Sequence, residues 1–293
     1  MSLTVSTTTN PTVPSHQLSQ LWTTSRYVLD LRTVKVMGIV NVTPDSFFDG
    51  GRSASAAAIA HCEQLLRQGA DLLDIGGESS RPGAVSIPWE QEWQRIEPVL
   101  RTALTLGVPL SIDTCKSEVM QRALDLGADA INDIRALRAT GALEVISRHP
   151  RCGICLMHMS GEPSTMQLAP THLDVVHEVR DFLSGRAAAL TARGVEPTRI
   201  VLDPGIGFGK RVEDNFALLR GQRALLALGF PVLAGWSRKS SLGVVTGRAP
   251  ADRLSASVAA ALAAAHCGAR ILRVHDVGAT VDALKVWTAA ELL

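Results

Sequence analysis

The sequence predicts an α/β protein built as a single closed (β/α)8 barrel, a TIM barrel, and three observations carry that expectation. Eight short apolar runs recur along the 293 residues, each separated from the next by a segment of helical period. Three of those runs are entered through one repeated phrase: Gly69-Ala70-Asp71, Gly127-Ala128-Asp129 and Gly268-Ala269-Arg270. A glycine there is the expected stop of a helix, followed by a tight connection into the next strand. Composition is the third: a hydrophobic fraction of 46% rich in Ala, Leu and Val, with aromatics at 4%, suits helices packed on an aliphatic sheet. A doubly wound open sheet is the alternative, disfavoured because no Gly-x-Gly-x-x-Gly follows the first run.

Taken in order, residues 1–20 are rich in Ser and Thr, contain Pro11 and Pro14, and have no period. They read as a disordered lead, leaving 21–293 as the barrel domain. The first run, 36–40, ends at Asn41 and breaks into a polar, glycine-ended loop carrying Phe47 and Phe48. Two of the chain's six phenylalanines in one loop imply that it folds over something. The run 72–75 carries Asp74 and leads to Glu78, 109–112 ends at Asp113, and 130–132 carries Asn132 and leads to Asp133. The run 153–157 ends at His158, 200–202 at Asp203, and 231–234 leads to Ser237, Arg238 and Lys239. The last, 271–274, carries Arg273 and delivers His275 and Asp276.

Active sites of such barrels lie at the C-terminal ends of the strands, and here every strand ends in a polar or charged group. Polar groups that are buried unpaired are costly, so a full ring of them implies a polar ligand that supplies partners. Taken singly, Asp74, Asp133, Asp276 and His158 read better as structural residues. Net charge is +1, which removes any electrostatic argument for nucleic acid or an anionic membrane. The five scattered cysteines, with no signal peptide ahead of them, point to free thiols in a reducing, cytoplasmic compartment. Cys152-Gly-Ile-Cys155 reads as core packing, because residues three apart on a strand face opposite sides and no second Cys/His pair exists. The Ala-rich segment near residue 260 comes closest to a membrane span, but Arg253 and His266 mark it as a buried helix.

Asp113, Asn132 and Asp203 can accept from N–H groups, and Asn132 can also donate, which suits a flat heterocycle with an amino-amide edge. Lys239 would approach that ring from the other side. Arg81, Arg273 and His275, with Asn41 and Ser80, could gather a phosphate or pyrophosphate. A divalent ion sharing that load would prefer oxygen ligands, of which Asn41 is the best placed neutral one. The loop 203–210, Asp-Pro-Gly-Ile-Gly-Phe-Gly-Lys, has the wrong spacing for a P-loop and reads as a flexible rim carrying Phe208. Ser240 or Ser241 would cap the next helix, either as a plain cap or as part of an anion site.

The stretches MGIVNVTPDSFFDGG, DIGGESSRPGA, SIDTCK, INDI, LMHM, LDPGIGFGK, GWSRKS and RVHDV follow one another as they do in dihydropteroate synthases. The chain resembles that family from about Met37 to its C-terminus. The resemblance implies a barrel that joins 6-hydroxymethyl-7,8-dihydropterin diphosphate to 4-aminobenzoate. It implies a pterin pocket of Asp113, Asn132, Asp203 and Lys239, Asn41 as ligand for Mg²⁺, and a diphosphate clamp of Arg273 and His275. Ser80, Arg81 and Pro82 would belong to a second mobile loop, and Phe47, Phe208 and Ser240 to the site for 4-aminobenzoate and sulfonamides. A homodimer through outer helices is implied too, with residues 255–265 as a candidate surface and burial against the barrel as the competing use. Ser80, Phe48 and Trp236 depart from the family's usual residues. Two other readings stay open: a pterin-dependent methyltransferase, whose corrinoid motif fails here because Arg273 replaces its Asp, and a non-catalytic pterin-binding paralogue.

Overall fold

The computed structural model describes residues 20–43, 52–79, 83–161 and 172–292. All of the expected lead except Gln20 therefore lies outside the described residues, as do Phe47, Ser80, Arg81 and Pro82.

All eight apolar runs form strands: β3 (Lys35–Asn41), β4 (Leu72–Gly76), β5 (Leu110–Asp113), β6 (Ala130–Asp133), β7 (Gly153–Met157), β8 (Ile200–Asp203), β9 (Leu233–Ala234) and β10 (Ile271–Val274). They pair in parallel in the order β8-β7-β6-β5-β4-β3-β10-β9, and a parallel bridge between Leu202 and Val232 joins the two ends into a barrel. Helices lie between them: α1 (Arg52–Arg67), α2 (Trp89–Ala103), α3 (Ser117–Leu126), α4 (Ala142–Arg148), α5 (Val175–Thr191), α6 (Val212–Arg220), α7 (Gln222–Leu226), α8 (Ser240–Thr246), α9 (Leu254–His266) and α10 (Val277–Ala289). Gly69, Gly127 and Gly268 all have positive φ, the left-handed turn that a side chain would strain, as the repeated phrase led one to expect.

Because side chains alternate along a strand, each strand feeds two cores. Residues such as Val36, Leu73, Ile112, Ile131, Ile154 and Leu202 face outward into the large cluster between sheet and helices. Met37, Leu72, Ala130, Cys155, Val201, Leu233 and Ile271 face inward and fill the N-terminal half of the barrel. Burial of each large aliphatic side chain contributes roughly 1.5–3 kcal/mol. Cys152 falls in the outer cluster and Cys155 in the inner one, and all five cysteines are free thiols. Among the described residues no helix is long and apolar enough to cross a membrane.

A hairpin that the periodicity did not disclose precedes the barrel: β1 (Leu21–Thr23) pairs antiparallel with β2 (Val28–Asp30). Three-residue strands are too short to show a period. Trp22 is fully buried, packs on the inward layer, and donates from Nε1 to the Arg199 carbonyl at 3.0 Å. Gly153 makes room for it, since a Cβ there would lie 2.9 Å from the Trp22 ring nitrogen. Arg26 ties the hairpin to buried Asp129, donating from Nη2 at 2.6 Å and from Nε at 3.0 Å. The hairpin thus stops the N-terminal end of the barrel and leaves the opposite end for the site. Helix α9 turns Ala260, Ala261, Leu262, Ala264 and Ala265 into the core. Burial against the barrel is therefore what that Ala-rich face is used for.

Candidate active site

Above the apolar layer, the inward positions turn polar. Asp113 and Asn132 stand in register on β5 and β6, and Asp74 opposes Ser111 on β4 and β5. Arg273, from β10, reaches across the barrel and donates from Nε to Asp74 at 2.6 Å and from Nη2 to Asp113 at 2.6 Å. Asn132 donates to the same Asp74 oxygen at 3.0 Å. Asp74 is therefore structural as expected, but its structural work is done inside the mouth, where it sets both Arg273 and Asn132. Asp74 Oδ1 and Ser111 Oγ are buried without hydrogen-bond partners among the described residues, so the floor of the slot still offers polar capacity.

The electrostatics follow from this crowding. Burial pushes the Asp113 carboxyl up to about 7, with Arg273 pulling it down and Asp74 pushing it further up. Burial works against the charge on Arg273, but Asp74 and Asp113 more than offset it and hold the guanidinium above its ordinary range. Asp203, at the end of β8, is raised by burial and opposed by the Gly205 N–H, which donates to it at 2.7 Å. Burial pulls Lys239 down to about 8, countered by Asp203. Its ammonium lies 4.1 Å from the centre of the Phe208 ring, a cation–π contact.

Two residues of the strand-end ring face away from the slot. Asp133 points out of the barrel and shapes a turn, accepting from the backbone N–H of Arg135 at 2.8 Å and of Leu137 at 2.7 Å. Asp276 pairs with Arg238 at 2.7 Å on the rim. Both were expected as structural residues. His158 is likewise a core histidine, with its ring edge-on to Phe182 at 5.0 Å. The expected serine cap is not made: Lys239 occupies the cap position without a side-chain cap bond, and Ser241 instead accepts from Asn215 at 2.8 Å. Ser240 is exposed at the first position of α8.

The loop 203–210 is not the flexible rim its glycines imply. Every residue in it is buried, and Gly205, Gly207 and Gly209 all have positive φ. A Cβ on Gly205 would overlap the His158 carbonyl, and one on Gly209 would overlap the Ser160 carbonyl. The Gly207 N–H donates to Asn215 at 2.7 Å. The glycines serve close backbone approach, and the loop is pinned.

His275 emerges from β10 beside Ser237. Its backbone N–H donates to Ser237 Oγ at 3.1 Å, and that oxygen lies 2.9 Å from Nδ1. Ser237 Oγ therefore holds both the backbone and the ring of His275, and Nδ1 is the ring nitrogen engaged in that contact. Asn41 is half-buried at the end of β3, on the inward side and in register with Gly76. No group of three or more His, Cys, Asp or Glu among the described residues could hold a metal. A cation beside Asn41 would therefore draw on its amide oxygen, water and substrate oxygens, a donor set that suits Mg²⁺.

Of one further cluster sequence reasoning singled out Glu78 alone. Lys116, after β5, bonds Glu92 of α2 at 2.5 Å and also bonds Glu78, while Arg95 donates to the Gly77 carbonyl at 2.8 Å. This network fixes the chain at Gly77 and Glu78, just after β4. Its members lie on three separate elements, so no spacing along the chain announces them.

A barrel with a polar slot at its C-terminal mouth is the architecture of a pterin-binding enzyme, and the family model described as pterin binding enzyme matches residues 37–275. The dihydropteroate synthase of Neisseria meningitidis serogroup B is 53% identical over 276 residues, covering 92% of this chain and 97% of the relative. The chain belongs to the dihydropteroate synthases. Among solved structures, the Xanthomonas albilineans dihydropteroate synthase with 4-aminobenzoic acid superposes with a TM-score of 0.85 at 50% identity, covering 91% of this chain and 96% of that one. The Burkholderia cenocepacia dihydropteroate synthase complexed with 7,8-dihydropteroate gives 0.84 at 48% identity, covering 92% and 96%.

Proposed function

We infer that the chain catalyses the condensation of 6-hydroxymethyl-7,8-dihydropterin diphosphate with 4-aminobenzoate, giving 7,8-dihydropteroate and pyrophosphate. The observation that carries this reading is the convergence of Asp113, Asn132, Asp203, Lys239 and Arg273 on one slot. Asp113, Asn132 and Asp203 take the amino-amide edge of the pterin, and Lys239 donates to a ring acceptor. Arg273, anchored on Asp74 and Asp113, and the His275 imidazole receive the departing diphosphate. Ser80, Arg81 and Pro82 would complete that region, while Phe47, Phe208 and Ser240 receive the arylamine.

The reaction breaks the bond between the pterin CH₂ and the diphosphate oxygen. The carbon becomes cationic, and Asp203 with the electron-rich ring stabilises it until the arylamine nitrogen attacks and sheds its proton. Positioning and electrostatics carry this chemistry, so no nucleophile triad is needed. Each desolvated clamp cation would contribute about 2–4 kcal/mol. Mg²⁺ held at Asn41 would supply Lewis-acid stabilisation of the leaving group.

A homodimer and a cytoplasmic location belong to the same reading. Free thiols support the latter. Val244, Val245 and Leu254 are exposed on the outer face of α8 and α9, and they support the former. Purified protein with Mg²⁺, both substrates and a pyrophosphate assay tests the reaction. Pterin binding without pyrophosphate release would make this a pterin-binding protein and overturn the proposal.

A further inference from the structure

Lys210 is a buried lysine that the reaction above does not use. It is 3% exposed, and no carboxylate accepts from it among the described residues. Its ammonium instead donates to the carbonyls of Gly205 at 2.9 Å, Phe208 at 3.1 Å and His158 at 3.3 Å, and faces His158 Nδ1 at 3.0 Å. Burial and the Lys210 charge push His158 down to about 3, so its imidazole is neutral and Nδ1 can accept. The loop 203–210 is thus coiled round an ammonium that occupies the place a bound cation would take.

Two of these acceptors belong to the loop and one residue, His158, to the end of β7. The contact therefore locks the loop to the barrel wall at the level of the slot. Phe208 is the side chain this lock controls: its own carbonyl is one of the three, its ring packs on Ile134, Met157 and Met159, and its face meets Lys239. Burial pulls Lys210 down to about 7, countered by Asp203, so the three carbonyls from two segments offset only part of the cost of burying the ammonium.

We propose that Lys210 is a positioning residue of the condensation, acting through Phe208: by gathering the Gly205, Phe208 and His158 carbonyls it sets the Phe208 ring against 4-aminobenzoate. The proposal rests on the reading that Phe208 receives the arylamine. A double-mutant cycle of Lys210→Met and Phe208→Ala, with KM measured for each substrate and folding checked by near-ultraviolet circular dichroism, tests it. Each single variant should raise the KM for 4-aminobenzoate by about tenfold while the KM for the pterin diphosphate stays within about threefold. The double variant should be no worse than Phe208→Ala alone. Additive losses, equal losses in both KM values, or a folded Lys210→Met with wild-type constants would overturn the role of Lys210. A wild-type KM in Phe208→Ala would instead remove the reading of Phe208 itself. If the methionine variant does not fold, Lys210→Arg carries the same cycle, because its planar fork keeps the charge but cannot converge on the same carbonyls.

Discussion

Removing Arg273 should expose how far the slot is an electrostatic construction. In Arg273→Ala, Asp74 and Asp113 lose two charge-assisted hydrogen bonds of 2.6 Å. Breaking a buried ion pair by deleting one partner costs about 3–5 kcal/mol, because the other charge is left behind. For a chain of this size that is a fall in Tm of roughly 10 °C. The loss must also depend on pH. Asp113 has a folded pKa raised to about 7, so protonated Asp113 stabilises the fold at low pH and that contribution declines as pH rises towards 7. In the wild type the decline ends near 7, where Arg273 takes the ionised carboxylate as its partner. Without Arg273 the Asp113 pKa climbs further and the decline continues above 7. Scanning calorimetry should therefore show a larger difference between variant and wild type at pH 8.5 than at pH 6. An equal difference at both values, or a variant as stable as the wild type, would refute the assignment of Arg273 as the counter-ion of Asp113.

Lys239→Met should lower turnover by about 10²–10³ with the barrel still folded. Since burial holds Lys239 at about 8, the wild-type kcat/KM should fall as pH rises through 8, and the variant should lack that alkaline limb. Trp22→Ala empties the stopper of the barrel and should cost about 3–5 kcal/mol in denaturant unfolding while leaving both KM values unchanged. The hairpin sits at the far end from the slot, so a changed KM would contradict the stopper role. Chelation of Mg²⁺ should abolish pyrophosphate release, and Asn41→Ala should raise the Mg²⁺ concentration for half-maximal rate by about tenfold. A rate unaffected by chelation would remove Asn41 as a ligand.

Much of the fold is legible because a strand buried on both faces leaves an uninterrupted apolar run, and each of the eight runs became a strand. The hairpin at Leu21–Asp30 escaped because three-residue strands carry no period, although Trp22 is as buried as any residue in the chain. The ring of strand-end polar residues was likewise readable, since the parallel barrel brings all such ends to one mouth. Inward or outward direction was less so: Asp74 and Asp133 both read as structural residues, yet Asp74 works inside the mouth and Asp133 shapes a turn outside it.

The sequence by itself determined the alternation of strands and helices, the polar mouth and the motifs of the family, because these are local patterns or short runs of chain. Only the tertiary structure decided which partners those residues would meet. Arg273 bridges Asp74 and Asp113 across separations of 199 and 160 residues, and Lys210 meets His158 from 52 residues away. Hydrogen bonds and ion pairs of that kind depend on distances of a few ångströms between segments far apart in the chain. The glycines of the loop 203–210 show the same limit: read along the chain they imply freedom, and packed against β7 they allow an approach that any side chain would block.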